Sequence, residues 1–137
     1  MRLLLLGAGA LLALAPPVFG STQARVQTCT VNMLNTTGHT LHLKKASSLP
    51  AWTPGYRPQP GPSIEDHGLL FWDTQSGARG CWSRTVYGAG RRFVVLTVDG
   101  RAGHPRAAHC TSSGFRRCKI IARRLRAPNV FLSVRVT

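Results

Sequence analysis

Beyond residue 20, the chain is built of short segments in which apolar and polar side chains alternate, broken by clusters of Gly, Pro and Ser. Leu41 and Leu43 alternate with His42 and Lys44, which predicts a strand with one buried and one wet face. Val130, Leu132, Val134 and Val136 alternate in the same way with Phe131, Ser133 and Arg135. Cys29, Val31 and Met33 fall on one face of a first strand, and Trp82, Arg84 and Val86 on one face of a middle strand. The run from Arg92 to Val98 is apolar at both parities, which predicts a central strand packed on two sides. Turns are marked at Thr37-Gly38, Ser76-Gly77, Gly88-Ala89-Gly90 and Asp99-Gly100. Lys119 to Leu125 reads either as a basic helical turn or, through Ile120 and Ile121, as a strand. The pattern predicts an all-β protein, a small disulfide-stabilised β-sandwich of short antiparallel strands.

Residues Met1 to Gly20 have another character. Arg2 precedes the apolar run Leu3 to Leu14, then Pro16-Pro17, and Val18-Phe19-Gly20 comes before the polar Ser21. A charged start, a short apolar core and a small residue at the end form a secretory signal peptide. The run is short for a bilayer span. The expected organisation is a signal over 1–20 and a single β-sandwich domain over 21–137, secreted and extracellular. The domain of about 117 residues suits one core that buries about two-thirds of the unfolded surface.

Charge and cysteines sharpen this picture. Lys and Arg number 18 against four acids, Glu65, Asp66, Asp73 and Asp99, for a formal net charge of +14. Such a chain attracts polyanions, and its arginines suit the oxygens of phosphate, sulfate and carboxylate. Cys29, Cys81, Cys110 and Cys118 form an even set, so export predicts two disulfides. Four cysteines allow three connectivities; Cys110 to Cys118 around a short loop, with Cys29 to Cys81, is the preferred pairing. There is no C-x-x-C pair to nucleate a zinc site, and no residue pattern calls for a metal or cofactor.

Two features suggest contact surfaces. The proline-dense run Leu49 to Pro62 predicts an extended surface loop carrying Trp52 and Tyr56, aromatics suited to a lipid interface or to stacking. From Arg101 to Thr137 there are nine basic residues and no acid, and Arg116, Arg117, Lys119, Arg123, Arg124 and Arg126 are the candidate anion-binding set. Asn35-Thr36-Thr37 is an acceptor motif for N-glycosylation, which would place Asn35 on the surface.

From Val31 to about Phe93 the pattern resembles that of aegerolysin-type secreted lipid-binding cytolysins. The residues that carry the likeness are a first strand ending at Asn35-Thr36-Thr37-Gly38, then Leu41, Leu43, Trp52, Pro58 to Pro62 and Ser63-Ile64. Gly68, Trp72, Ser76-Gly77 and Val86-Tyr87 before Gly88 continue it. The resemblance implies a β-sandwich that recognises membrane lipid through loop aromatics, here Trp52, Tyr56 and Trp72, with cytolysis as an associated activity. The basic charge, the cysteines and the arginine-rich end depart from that family's pattern.

The expected function is therefore that of a cationic binding protein whose partner is an anionic lipid membrane or another extracellular polyanion. Two alternatives remain open. His42, Glu65, an arginine of the Arg91-Arg92 pair and His104 or His109 supply the residue types for metal-independent RNA cleavage, in an order that loosely resembles the small secreted fungal ribonucleases and ribotoxins. A module for acidic or sulfated glycans is the other. No serine-nucleophile elbow is present, and the sequence assigns no catalytic residue, so an enzyme is the less favoured class.

Overall fold

The structure is a computed structural model that describes residues 25–53 and 59–137. The expected signal peptide over 1–20 and Tyr56 lie outside the described residues. Nine strands are present among those residues: β1 (Thr28–Asn35), β2 (Leu41–Leu49), β3 (Ser63–Ile64), β4 (Leu69–Gln75), β5 (Trp82–Ala89), β6 (Arg92–Asp99), β7 (Ala107–Ser113), β8 (Cys118–Arg124) and β9 (Asn129–Val136). They form a four-stranded sheet in the order β4-β1-β9-β8 and a five-stranded sheet in the order β3-β2-β5-β6-β7. This is the expected disulfide-stabilised β-sandwich. One pairing is parallel: β1 lies beside β9 in register from Thr28 with Asn129 to Asn35 with Val136. The other pairings between strands are antiparallel.

The core follows from period-two alternation. Cys29, Val31 and Met33 of β1, Trp72 of β4, and Val130, Leu132, Val134 and Val136 of β9 point inward and are buried. Facing them are Leu41, Tyr87, Val94, Leu96, Val98 and Ala108 of the five-stranded sheet. Trp72 and Tyr87 meet across the core with ring centroids 5.7 Å apart. Tyr87 also donates from its hydroxyl to the Gly61 carbonyl at 2.7 Å, which fastens the end of the proline-rich connection onto the core. Burial pushes its phenol pKa upward, so the hydroxyl remains a donor.

Strand β6 departs from the two-sided packing expected of it. Val94, Leu96 and Val98 are buried, while Phe93 is exposed and Val95 is half-buried. The strand is internal to its sheet, between β5 and β7, but only one sheet face has a layer opposite it. Lys119 to Arg124 belongs to β8 and is extended rather than helical. Between β5 and β6 the chain reverses through Gly90-Arg91, with Gly90 at φ 61°. Glycine at the first central position is what a type II′ hairpin needs, and it sets the β5–β6 register.

Two covalent bonds join these elements. Cys29 of β1 is bonded to Cys81 before β5, linking the sheets over 52 residues of sequence. Cys110 of β7 is bonded to Cys118 of β8, across a separation of 8. Loop-closure entropy grows with the logarithm of the closed length, so the first bond contributes about 4 kcal/mol and the second about 2.5 kcal/mol in that treatment.

Two predictions follow from the core. Replacing Cys29 and Cys81 together by Ala lowers urea-unfolding stability by about 1–2 kcal/mol more than replacing Cys110 and Cys118; equal losses would show that closed-loop length does not govern the effect. Thr85 is fully buried on β5, and its hydroxyl has no hydrogen-bond partner among the described residues. Thr85→Val keeps the shape and removes an unpartnered polar atom, so the variant gains about 1 kcal/mol in the same assay. A loss of stability would indicate that the hydroxyl is satisfied in solution.

Candidate functional site

Half of each strand must face outward, and this rule locates the most distinctive surface. Leu69-Leu70-Phe71-Trp72 places four apolar residues in succession on β4. Trp72 is buried and Leu70 packs against the core, so Leu69 and Phe71 point out, at 66% and 47% exposure. Strand register extends the pattern across the four-stranded sheet. Leu69 pairs with Leu34, Leu34 with Arg135, and Arg135 with Lys119. One row over, Phe71 pairs with Asn32 and Asn32 with Ser133, which pairs with Ala122. The next row runs Asp73, Thr30, Phe131 and Arg124. Cross-strand partners share a face. The outer face thus carries exposed apolar side chains at its β4 side and Arg135, Lys119 and Arg124 at its β8 side.

The arginine-rich segment is distributed rather than gathered. Arg116 and Arg117 lie between β7 and β8. Arg116 lines a cavity of about 290 Å³ with Arg92, Phe115 and Thr37, and the Arg92 Nη1 lies 2.9 Å from His39 Nε2. Lys119 and Arg124 share the outer face just described. Arg123 pairs with the inward Leu132 and so projects to the other side of the edge strand. Arg126 follows β8 at the opposite end of the molecule from Arg116. Its six candidate cations therefore do not form one patch. Those on β8 also blunt an exposed strand edge against pairing with another chain.

The aromatic set needs correction too. Trp72 is completely buried in the core and has no ring surface left for a membrane. Trp52 is half-buried, packs against the core, and donates from Nε1 to the Asp73 carbonyl at 3.0 Å, so it covers the edge of β4. Asn35 is also buried: its Nδ2 donates to the carbonyls of His39 at 2.7 Å and Ile64 at 3.1 Å. Its Oδ1 accepts from the Thr37 amide and hydroxyl. The nitrogen that would carry a glycan is thus engaged inside the turn, and Asn35 is a structural residue.

The histidines separate along the strands. His42 pairs with Gly88 at one end of β5 and lies next to the β3 segment that leads to Glu65. His104 follows β6 at the other end, where Asp99 pairs with Trp82. His109 pairs with Thr97, on the outer face of the five-stranded sheet. His42, Glu65 and His104 are not brought together. Among the described residues no group of three or more His, Cys, Asp or Glu side chains is placed to hold a metal ion.

At the His104 end Asp99 and Arg101 form an ion pair. Asp99 accepts from Arg101 Nε at 3.0 Å and from Nη2 at 2.7 Å, and its Oδ1 also accepts the Arg101 amide at 3.0 Å. The guanidinium lies 5.7 Å from the Trp82 ring. Burial raises the Asp99 pKa, but the hydrogen bonds and charge of Arg101, with His104 nearby, outweigh it and leave the carboxyl lowered. A lowered carboxyl stabilises the fold above its unfolded value of about 3.9, and that contribution disappears as pH falls through the folded value. Thermal melts should show a gap between wild type and Asp99→Asn that is widest above about pH 4 and closes under more acid conditions. A gap independent of pH would remove the ion pair as its cause.

No protein-family model matches the chain, and no curated protein matches it either.

Proposed function

We propose that this is an exported cationic protein that docks on anionic lipid surfaces through the outer face of its four-stranded sheet. The observation that carries the reading is the row Leu69, Leu34, Arg135, Lys119, with Phe71 and Arg124 in the neighbouring rows. Leu69 and Phe71 lose water when they enter the interfacial region of a bilayer. The basic side chains beside them meet lipid phosphates at the same depth. Each cation held near an anionic membrane contributes about 1 kcal/mol, so three acting together favour the anionic surface by about two orders of magnitude.

Other features agree. The chain is strongly basic, the two disulfides suit an extracellular setting, and no helix among the described residues is long and apolar enough to cross a membrane. The likeness of Val31 to Phe93 to aegerolysin-type lipid binders points the same way. In this reading apolar contact belongs to Leu69 and Phe71 on a strand, rather than to Trp52, which is tied to β4.

Vesicle co-sedimentation tests the proposal. The protein should partition onto phosphatidylglycerol-containing vesicles and much less onto phosphatidylcholine alone, with affinity falling as salt rises. Combining Lys119→Glu, Arg124→Glu and Arg135→Glu should reduce partitioning by about 100-fold or more. Leu69→Ser with Phe71→Ser should weaken binding that persists at high salt. Equal binding to neutral and anionic vesicles, or no change in either variant, would overturn it.

A further inference from the structure

The outer face of the five-stranded sheet is basic too, but its make-up differs from the face proposed for membrane docking. Strand register sets out its rows. Ser47, Arg84, Thr97 and His109 stand side by side across β2, β5, β6 and β7, and the next row runs Lys45, Val86, Val95 and Thr111. Their chain neighbours Thr85, Leu96 and Ala108 are buried, so these rows face outward. The register shifts between Leu43 and Lys45, which leaves Lys44 as the extra residue of a bulge. Beyond Val86 lies Gly88, and a Cβ there would stand 3.5 Å from Lys44 Cε and 3.5 Å from Phe93 Cβ. The Lys44 stem therefore lies over the glycine, and the bulge turns two successive lysines to one side.

These cations are close together and unpaired. Lys45 is diagonal to Arg84, about 7–8 Å away, and His109 stands two strands from Arg84, about 10 Å. Among the described residues no hydrogen bond or ion pair engages the side chains of Lys44, Lys45 or Arg84. The one carboxylate of these five strands, Asp99, is held by Arg101. Between the cations lie the hydroxyls of Ser47, Thr97 and Thr111, over a span of about 14 Å from β2 to β7.

We infer that this face binds an extended sulfated glycan laid across the strands. Such a polymer spaces its anionic groups among hydroxyls, and the rows offer cations spaced among hydroxyls in return. The lysines and the Arg84 fork meet sulfate oxygens, and the Ser and Thr side chains exchange hydrogen bonds with the sugar. Single-stranded nucleic acid asks for several aromatic platforms beside its cations. Here the Arg101 guanidinium lies 5.7 Å from the Trp82 ring centroid, which leaves Phe93 as the exposed aromatic. A lipid interface asks for protruding apolar side chains, but Val86 and Val95 are half-buried beneath the polar ones.

Amide shifts during titration with a heparin-derived hexasaccharide provide the first test. Val86, Thr97 and Thr111 should shift and saturate; largest shifts on β8 and β9 would overturn the inference. Lys44→Gln, Lys45→Gln and Arg84→Gln together should weaken the affinity about tenfold or more. Lys119→Gln, Arg124→Gln and Arg135→Gln remove the same charge and should change it little; equal losses from the two sets would reduce binding to net charge and overturn the inference. If the first set fails to fold, Lys44→Gln with Lys45→Gln is compared with Lys119→Gln and Arg135→Gln, with the same expectation. The first set should also leave partitioning onto phosphatidylglycerol vesicles unchanged, so this inference and the membrane reading fail separately. A single-stranded oligodeoxynucleotide of matched charge should bind more weakly than the hexasaccharide. Equal or tighter binding would assign the face to nucleic acid and overturn the inference.

Discussion

The bond from Cys29 to Cys81 is the constraint on which the rest depends. It joins β1, an internal strand of one sheet, to the segment entering β5, an internal strand of the other. The sheets are thereby fixed where their apolar faces meet, and the loops above the bond are fixed with them. Gly100 packs against Cys29 and Val26, and that contact leads directly into Asp99 and Arg101. Stability and the placement of one charged site have a common origin here.

The two outer faces express a second constraint. A sandwich this thin uses one parity of each strand for its core, and the other parity is available for contact with whatever lies outside. In β9 the outward residues are Asn129, Phe131, Ser133 and Arg135, and none of them is needed inside. The chain places cations on the β9 and β8 side and apolar residues on the β4 side. That division has no structural necessity within a monomer, and the docking proposed above is built on it.

Alternation made the strands legible: β1, β2 and β9 appear in the sequence with their buried residues in phase. The disulfides were foreseeable because the spacing of Cys110 and Cys118 favoured a local bridge. Leu69 and Phe71 carried a signal that was available but unused. An apolar run of four in an extended segment must present two side chains to the outside, whatever its composition suggests. Other features were not legible. The sequential crowding of Arg116 to Arg126 says nothing of direction, and a strand with loops at both ends sends those charges to two ends and two faces. Asn35 looked like a surface acceptor because its motif is local, while its burial depends on His39 and on Ile64, a distant segment. His42 and His104 are separated by the length of β5, which only strand register reveals.

The parallel contact between β1 and β9 has a consequence for the order of assembly. β1 finds its parallel neighbour only when β9 has been synthesised, and β8 hangs on that same neighbour. Before then the four-stranded layer is reduced to the β1–β4 pair, with half its lining missing. Such long-range pairing slows folding and postpones closure of the layer until β9 is available. The layer closes only when β9 arrives alongside β1, with seven described strands laid down between them.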